Sequence, residues 1–403
     1  MNQQKTSKLR WAILALLFLS TVLNYLDRQA LSILTVEIQK DMQMSTMEYA
    51  RIVQIFLVTY TISLLGAGWI TDKLGTKVSL ALFVGWWSIA NMLTGLVQSV
   101  FQLGITRALL GLGEGGNYTA APKAVSEHFA PKERGVAVGV YTAGAMLGAT
   151  IAPPLIVWLA STYNWRSAFF ITGAAGLVWL IVWLAIYKSP EYSTSDATPL
   201  TPIPLRLILK DRSVWLLACA RMLADPVWYF YLFWFPKYLE ESQGMSLLQV
   251  AQLAWIVYLA ADIGSLSGGI FSGYLVKRGM HPQKSRLVVI TVAAMFAPLG
   301  MLIATGLETH YMLGLAAMVA FLHLMFMVNI TTLIVDKYPS RAVGTIFGII
   351  AAGSSVGGIL STQVVGHFAA ANQYQMLFVF MGLLHPIACG FTWLSSRQKP
   401  NFA

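Results

Sequence analysis

The feature that most constrains this chain is a series of apolar stretches, each about as long as a membrane span. A helix needs about 20 residues, at ~1.5 Å each, to cross the hydrocarbon core of a bilayer, and hydrophobic periodicity marks twelve such stretches. The composition agrees, since 57% of the residues are hydrophobic and 11% are charged, whereas a soluble domain carries about 25% charged residues. The sequence therefore predicts an all-α polytopic membrane protein. The predicted spans are residues 11–35, 50–71, 78–98, 101–124, 135–160, 166–187, 213–238, 249–276, 287–306, 311–334, 342–369 and 374–396.

The predicted spans form two groups of six, separated by a segment rich in proline, serine and threonine. Proline fixes φ and removes a hydrogen-bond donor, so this segment is predicted to be an extended cytoplasmic linker. The predicted domains are a six-helix N-terminal half at 1–190, the linker at 191–212 and a six-helix C-terminal half at 213–403. Cys219 and Cys389 lie in apolar runs without the spacing of a disulfide framework or a metal site, and no metal or cofactor is predicted.

Basic residues are distributed unevenly between the two sides that the spans define. With the N-terminus taken as cytoplasmic, the inner segments hold nineteen Lys and Arg residues and the outer segments hold four. This asymmetry follows the positive-inside rule and predicts a multi-pass protein of the cell inner (cytoplasmic) membrane with both termini cytoplasmic. The formal charge of +10 then faces membrane lipid, so nucleic acid is not needed as a partner. The basic opening segment resembles a signal peptide, but no small-residue cleavage site follows it, which indicates an uncleaved first helix.

The first span contains an acid beside a guanidinium, in the stretch Asn24-Tyr25-Leu26-Asp27-Arg28. Charged residues at membrane depth cost at least ~2.5–3.5 kcal/mol each on insertion scales. They usually face a water-filled cavity or a partner, and they mark transport or ion pathways. The alternative is a mutually neutralised structural pair near the outer interface.

The fourth span carries a second arginine and a second acid. Arg107 and Glu114 are seven residues apart, about two helical turns, so they share one helix face roughly 10 Å apart. Glycines in the same stretch allow another backbone to come close. This pattern suits an anion site with a titratable neighbour, and the alternative is an ion pair that stabilises a glycine-packed helix.

The loop after the second span contains Gly68, Asp72, Lys73 and Gly75 at fixed spacing. The glycines permit a tight turn and close helix approach. The aspartate is of a type that caps a helix start or holds a basic partner across a helix interface. We therefore predict that these residues belong to an inner gate. The corresponding loop of the second half, residues 269–279, echoes the pattern without the acid, which is typical of a duplicated architecture with substrate held between the halves.

These stretches together resemble a known family. The loop pattern resembles the signature of the major facilitator superfamily, and the stretches at 25–28, 107–114 and 126–134 resemble its anion:cation symporter family. Residues 151–155 and 221–226 are similar to the hexuronate branch of that family. The resemblance spans nearly the whole chain and implies the major facilitator fold of twelve transmembrane helices in two six-helix halves.

The resemblance also implies roles for individual residues. It implies that Arg28 grips the carboxylate of a sugar acid, that Asp27 and Glu114 exchange protons, and that Arg107 tunes those acids. It further implies that Tyr60 lines the site.

Further predictions accompany these roles. Tyr25, beside the acid of the first span, is predicted to be part of the substrate site, and Glu133 and Arg134 are predicted to be part of the gate. The chain departs from a relative at Ala145, where that relative has a glutamine that contacts sugar, so direct contact there is not expected.

The second half offers less specific candidates. Arg221 and Asp225 lie at i and i+4 on one helix face, as a structural pair or a substrate contact. Asp262 either lines a cavity or makes a hydrogen bond between helices. His323 and Asn329 are candidate ligands for substrate hydroxyls, although a lone histidine is more often satisfied in packing.

The predicted function is proton-coupled symport of a sugar acid, a hexuronate such as galacturonate or glucuronate, across the cytoplasmic membrane by alternating access. The predicted partners are a small organic anion and protons, and the resemblance implies a monomer. One alternative is a carrier or exchanger of another organic anion, such as the aldonate galactonate. A membrane enzyme or sensor is a weaker alternative, because no nucleophile–base set, metal-spaced histidine pair or soluble output domain is present, and no catalytic residue is predicted. Buried arginines disfavour an efflux pump for hydrophobic cations.

Overall fold

The structure, a computed structural model, describes residues 2–189, 203–235, 238–239, 242–245, 249, 253, 255–371 and 373–400. Within these residues the chain forms fourteen α-helices and one 3-10 helix, and no β-strand. The helices are α1 (Asn2–Ile33), α2 (Thr35–Met42), α3 (Thr46–Leu74), α4 (Thr76–Thr94), α5 (Val100–His128), α6 (Pro131–Thr162), α7 (Trp165–Ile186), α8 (Leu205–Leu209), α9 (Arg212–Phe233), α10 (Trp255–Lys277), α11 (Pro282–Phe296), the 3-10 helix Ala297–Leu302, α12 (Thr309–Lys337), α13 (Ser340–Ala370) and α14 (Tyr374–Ser396).

The long helices coincide with the predicted spans. Nine helices in the described part of the chain are long and apolar enough to cross a membrane: α1, α3, α6, α7, α10, α11 with its 3-10 extension, α12, α13 and α14. The other three predicted spans are occupied by α4, α5 and α9. Charged residues lower the mean hydropathy of α5 and α9, and these are the residues expected to face partners rather than lipid. The prediction of an all-α, multi-pass membrane protein is confirmed.

Several helices begin at a polar residue that satisfies their unpaired amide groups. Ser45 accepts a hydrogen bond from the Glu48 amide, and the Glu48 carboxylate accepts one from the Ser45 amide, which forms a capping box at the start of α3. The bonds from Ser45, first the backbone one, hold the pKa of Glu48 below its usual value. Ser99, Asn164 and Asp211 cap α5, α7 and α9 with side-chain oxygens in the same way.

Three details differ from the sequence-based prediction. The span predicted at 287–306 leaves α-helical geometry at Ala297, because Pro298 lacks the amide hydrogen that an α-helix uses there. The first span is followed by the separate short helix α2, which was not predicted. Residues 191–202 of the predicted linker lie outside the described residues, and its remaining part contains the helical turn α8 rather than an extended chain.

The chain divides into two compact units. Unit 1 consists of Met1–Phe129, Val140–Pro202 and Ser340–Gly348, and unit 2 consists of Ala130–Gly139, Ile203–Pro339 and Ile349–Ala403. Helices α6 and α13 therefore contribute residues to both units. The predicted six-helix halves stay a prediction.

Helix packing in unit 1 is densest around α5, which contacts α3 and α4, while α4 also contacts α7. A Cβ atom on Gly111 of α5 would lie 2.7 Å from the carbonyl oxygen of Phe56, and one on Gly113 would lie 2.8 Å from Cβ of Trp87. Real Cβ atoms do not come this close, so glycine is what allows α5 to lie against both neighbours. The close approach brings the polar side chains of α5 to those of α1 and α4.

Helix packing in unit 2 follows two pairings, α10 with α12 and α9 with α14. The core between them is aromatic and aliphatic and includes Phe230, Tyr231 and Phe378. α12 is buried along most of its length: in its most apolar stretch of 18 residues, 89% of the residues are buried. Polar side chains on α12 are therefore held against other helices.

Candidate functional site

A buried ion pair joins α1 to α5 in unit 1. Nε and Nη2 of Arg28 both lie 2.8 Å from Oε2 of Glu114, which is 86 positions further along the chain. The side chain of Glu114 is 0% exposed and that of Arg28 is 27% exposed. The carboxylate is therefore enclosed, while part of the guanidinium side chain remains accessible.

Aromatic rings surround the guanidinium of Arg28. Its carbon Cζ lies 4.6 Å from the ring centroid of Tyr60, 5.1 Å from that of Tyr25 and 5.5 Å from that of Phe56. Such contacts favour the cation through the negative ring faces. Two residues predicted for the site, Tyr25 and Tyr60, are thus brought to Arg28, while Phe56 was not predicted.

A second set of contacts links Asp27 to Arg107 through an amide. Oδ1 of Asp27 accepts a hydrogen bond of 2.7 Å from Nδ2 of Asn91, and Oδ1 of Asn91 accepts one of 3.4 Å from Nη2 of Arg107. The same Arg107 nitrogen also donates to Thr94 Oγ1 at 3.0 Å. Asp27 is 0% exposed and Arg107 is 2% exposed. The described residues supply no hydrogen-bond donor for Oδ2 of Asp27.

The partners of these charges differ from those that spacing suggested. Arg107 and Glu114 share a face of α5, yet Glu114 bonds to Arg28 and Arg107 bonds to α4. Sequence reasoning missed Asn91, the amide that bridges the two charges. The available signal was an asparagine within an apolar span, because such side chains commonly hydrogen-bond across helices.

The predicted gate residue Asp72 lies at the C-terminal end of α3, within unit 1. Its carboxylate accepts hydrogen bonds from Lys123 Nζ at 2.8 Å, from the Gly344 amide at 3.1 Å and from the Thr345 amide at 2.6 Å. The two amides belong to the second turn of α13. Gly68 packs against the backbone of Gly344 beside these contacts. Asp72 thus ties the ends of three helices together.

The other predicted gate residues fall in two places. Gly75 has φ +79°, a left-handed conformation that favours glycine, and Lys73 lies over the Trp69 ring at 4.8 Å. In unit 2, Arg134 Nη1 lies 2.9 Å from Oδ1 of Asp336. Glu133 is half-buried in the first turn of α6.

Asp336 was not predicted, although it holds two arginines. Its second oxygen accepts a bond of 3.0 Å from Nε of Arg286, whose side chain is 0% exposed. Arg286 also donates to Ser272 Oγ at 2.8 Å and to the carbonyl of Pro131. This cluster joins the ends of α6, α10, α11 and α12 within unit 2.

His323 and Asn329 both lie on α12 and are buried, at 2% and 0% exposure. Asn329 Nδ2 donates to the carbonyls of Met325 and Gly268, which ties α12 to α10. His323 Nδ1 lies 3.0 Å from Nε2 of His385 on α14. Contact of either residue with substrate stays a prediction.

Two further candidate acids, Asp225 and Asp262, lie in unit 2. Asp225 pairs with Arg221 at 3.0 Å, four residues apart on α9. Oδ1 of Asp262 on α10 is buried and has no hydrogen-bond partner among the described residues. Among all the residues that the structure describes, no group of three or more His, Cys, Asp and Glu side chains is placed to hold a metal ion.

The described residues form apolar helices of spanning length with buried charges between them, an arrangement typical of polytopic membrane transport proteins. The sequence profile of the Major Facilitator Superfamily matches residues 17–362. The chain belongs to this superfamily, whose members are transporters and not enzymes.

Two curated relatives and one solved structure show what the chain is similar to. It is 29% identical over 415 residues to a hexuronate transporter of Escherichia coli strain K12, covering 98% of this chain and 96% of the relative. It is 35% identical over 312 residues to a galacturonate transporter of Dickeya chrysanthemi, covering 72% of this chain and 90% of the relative. Its fold matches that of a proton:xylose symporter of the same superfamily with a TM-score of 0.76 at 14% identity, covering 96% of each chain. The likeness to the symporter concerns the fold alone.

Proposed function

We propose that this protein carries a sugar acid, a hexuronate such as galacturonate or glucuronate, across the cytoplasmic membrane together with protons, by alternating access. Relatives named as hexuronate and galacturonate transporters support the substrate class. The observation that carries the proposal is the ion pair of Arg28 with Glu114, in which an anion-binding group is occupied by an acid.

The geometry of this pair supports competition between the acid and the substrate. Both contacts of Arg28 with Glu114 use the Nε and Nη2 edge of the guanidinium. That edge is one that binds a carboxylate through two parallel hydrogen bonds. A substrate carboxylate and an ionised Glu114 therefore compete for the same donors.

Protonation of Glu114 would remove this competition. The neutral acid no longer attracts the guanidinium as a charge, so Arg28 is released to bind the substrate carboxylate. The carboxylate of the sugar acid then compensates the charge of Arg28, and the proton compensates Glu114. A site that holds the anion and the proton together is less costly to enclose at membrane depth than a charged one.

Asp27 and Arg107 would supply the second proton-exchanging group. The Asn91 amide donates a hydrogen bond to Asp27 and accepts one from Arg107. A change in the charge of Asp27 therefore acts on the same amide that Arg107 contacts. We assign Asp27 to proton exchange and Arg107 to holding the charge balance of the two acids. Tyr25 and Tyr60 both place their rings against the guanidinium of Arg28, and we assign them to the substrate site.

Uptake of radiolabelled galacturonate into proteoliposomes tests the proposal. We expect accumulation above equilibrium with an inward proton gradient and none without it. Arg28→Ala removes charge-assisted hydrogen bonds that contribute about 1.5–3 kcal/mol, which corresponds to an affinity about 10- to 140-fold weaker. Arg51→Ala, an exposed arginine on α3, serves as the control and should leave uptake unchanged. Wild-type affinity in Arg28→Ala would exclude Arg28 as the carboxylate ligand.

Glu114→Gln separates substrate binding from proton coupling. Glutamine resembles the protonated acid, so the variant should bind galacturonate and exchange it across the membrane, while losing accumulation driven by the proton gradient. Glu308→Gln, at an exposed acid with 77% accessible side chain, is the matched control. Gradient-driven accumulation at wild-type level in Glu114→Gln would show that another group couples the proton.

The alternative is a carrier or exchanger of another organic anion, such as galactonate. Counterflow that persists without a proton gradient, together with failure to concentrate any hexuronate, would favour this alternative.

The orientation is a second part of the proposal. The nineteen inner and four outer basic residues support a protein of the cell inner membrane with cytoplasmic termini. Reporter fusions at the C-terminus, active only on one side of the membrane, would test this orientation. The proposed monomer is tested by the mass of the detergent-solubilised protein.

A further inference from the structure

A pair of buried histidines in unit 2 plays no part in the function proposed above. Nδ1 of His323 on α12 and Nε2 of His385 on α14 lie 3.0 Å apart, and the two side chains are 2% and 1% exposed. A separation of 3.0 Å is that of a hydrogen bond, so one of the two nitrogens carries a hydrogen and donates while the other accepts the bond. Two imidazoles inside a membrane protein are costly to bury unless they are satisfied.

The pair continues into a third side chain. Nε2 of His323 lies 4.0 Å from Oδ1 of Asp225 on α9, and the other Asp225 oxygen lies 3.0 Å from Nε of Arg221. Asp225, His323 and His385 therefore form a chain across α9, α12 and α14. We call it the histidine chain.

Electrostatics assigns the tautomers of the histidine chain. A lone pair on His323 Nε2 would face the Asp225 carboxylate and be repelled, whereas an N–H there is attracted to it. With its proton on Nε2, neutral His323 accepts at Nδ1, so His385 Nε2 is the donor. Neutral His385 then has a lone pair on Nδ1, and this nitrogen is where an additional proton binds.

The surroundings of the histidine chain bear on its charge. Arg221 and Asp225 compensate each other, so the chain is neutral before an additional proton binds and carries one positive charge afterwards. Tyr258 of α10 contacts Trp228, whose ring stacks on His323 with 5.8 Å between centroids and 3° between planes. Other described neighbours include Phe326, whose ring lies edge-on to His385, and the Ser354 hydroxyl of α13 beside Asp225. Cys389 lies one turn beyond His385, with its thiol 3.7 Å from the Thr291 hydroxyl of α11.

A small cavity lies beside His385. It measures about 10 Å³ and is lined by the polar side chains of His385 and Tyr231 together with apolar ones. A cavity needs about 10–15 Å³ to hold one water molecule. The cavity beside His385 is therefore at the lower limit of the size that one water molecule needs.

We propose that the histidine chain is a second proton-binding site, in which one additional proton is shared by His323 and His385 beside the Asp225 carboxylate. The proton binds the lone pair of His385 Nδ1, a second proton moves from His385 Nε2 to His323 Nδ1, and both steps reverse when the proton returns to water. The two rings hold one additional proton between them, because a second would place two positive rings in contact. This inference deepens the proposed proton-coupled function and can be tested apart from it.

Nuclear magnetic resonance of the full-length protein with ¹⁵N-labelled histidine in lipid nanodiscs tests the site directly. The chain contains six histidines, so the ring signals can be assigned with single variants. We expect the signals of His323 and His385 to shift between pH 5 and pH 9 with one common midpoint, and to reach the protonated position only in part. Independent midpoints, or no shift of either signal in this range, would overturn the proposal. The titration is made on the wild-type protein, and the two signals can be assigned by removing those of the other four histidines, so the test does not require a His323 or His385 variant to fold.

A transport measurement shows whether the site matters for function. His385→Gln removes one of the two rings that share the proton, so the remaining ring should bind it more weakly. We therefore expect the midpoint of the pH dependence of galacturonate uptake to move about one unit toward lower pH, the size of shift that the loss of one favourable neighbour produces. His310→Gln, at an exposed histidine beside Glu308, is the control and should leave the midpoint in place. An unchanged midpoint in folded His385→Gln would overturn the role in transport. Failure of wild-type protein to accumulate galacturonate would instead contradict the proposed function, and the titration of the two rings would still decide the proton site.

Discussion

Asp72 in unit 1 and Asp336 in unit 2 each hold several helix ends, and the two carboxylates lie on different helices. In unit 1, Asp72 at the end of α3 accepts hydrogen bonds from Lys123 and from two backbone amides of α13. In unit 2, Asp336 at the end of α12 accepts them from Arg134 and Arg286. One junction therefore combines a lysine with backbone donors, and the other combines two arginines.

The glycine contacts beside the two carboxylates are alike, whereas the charged partners of the carboxylates differ. A Cβ on Gly68 of α3 would lie 2.7 Å from the carbonyl carbon of Gly344, and a Cβ on Gly269 of α10 would lie 2.7 Å from that of Gly135. α3 and α10 are each the second long helix in their series of six. α5 and α12, the fourth long helices, carry a lysine in one series and the aspartate in the other. The close glycine contact is thus similar in the two places, whereas the acid lies on α3 in one and on α12 in the other.

The largest effect is expected when the carboxylates are neutralised. Asp336→Asn removes the carboxylate that both Arg134 and Arg286 contact, and breaking a buried pair costs about 3–5 kcal/mol. Asp72→Asn leaves only Lys123, which can lose its proton, whereas arginine cannot. We therefore expect Asp336→Asn to lower the apparent Tm in detergent by more than Asp72→Asn does.

The control for this pair of variants is Asp41→Asn. Asp41 pairs with Arg166, but their side chains are 43% and 34% exposed, so the change should cost less than about 1 kcal/mol. Equal falls in Tm for Asp336→Asn and Asp72→Asn would mean that the second arginine adds nothing to the unit 2 junction.

The unit 2 junction also shows where sequence reasoning stops. The loop at 269–279 repeats the glycine pattern but has no acid, so a search for the motif finds half of the junction. Asp336 supplies the missing charge from a helix end that is distant in sequence. The fold was predictable, because the length of an apolar stretch is a local property and twelve such stretches leave few architectures.

The charged residues of the candidate site could be predicted from the sequence, but the side chains that they contact could not. Asp27, Arg28 and Glu114 stand out because charge at membrane depth is costly. The hydrogen bond of Asn91 to Asp27, and the contact of His323 with His385, depend on how helices pack against one another. Spacing along one helix gives a shared face, and it does not tell which neighbouring helix supplies the partner.

An intermediate effect is expected when the matching glycines are enlarged. Gly68→Ala and Gly269→Ala each force a methyl group against a backbone carbonyl, and overpacking of this kind costs about 1–3 kcal/mol. Gly75→Ala is the matched control, because no atom lies within 4 Å of its Cβ position and only its φ of +79° is unfavourable for alanine, at about 1–2 kcal/mol. We expect the first two variants to lower the apparent Tm by similar amounts. A large fall for one and none for the other would show that the two glycine contacts are not equivalent.

The smallest effect is expected when the lysine of unit 1 is neutralised. In Lys123→Gln the carboxylate of Asp72 keeps both backbone amides, at 3.1 Å and 2.6 Å, and the glutamine amide replaces one donor. The cost should therefore be about 1 kcal/mol. Arg286→Gln is the comparison in unit 2, where one side chain serves the carboxylate of Asp336, the hydroxyl of Ser272 and the carbonyl of Pro131, so several buried acceptors lose their donor together. Thermal unfolding of the two variants in the same detergent measures the difference. If Lys123→Gln proved as destabilising as Arg286→Gln, the backbone amides of α13 would not be substituting for the missing charge.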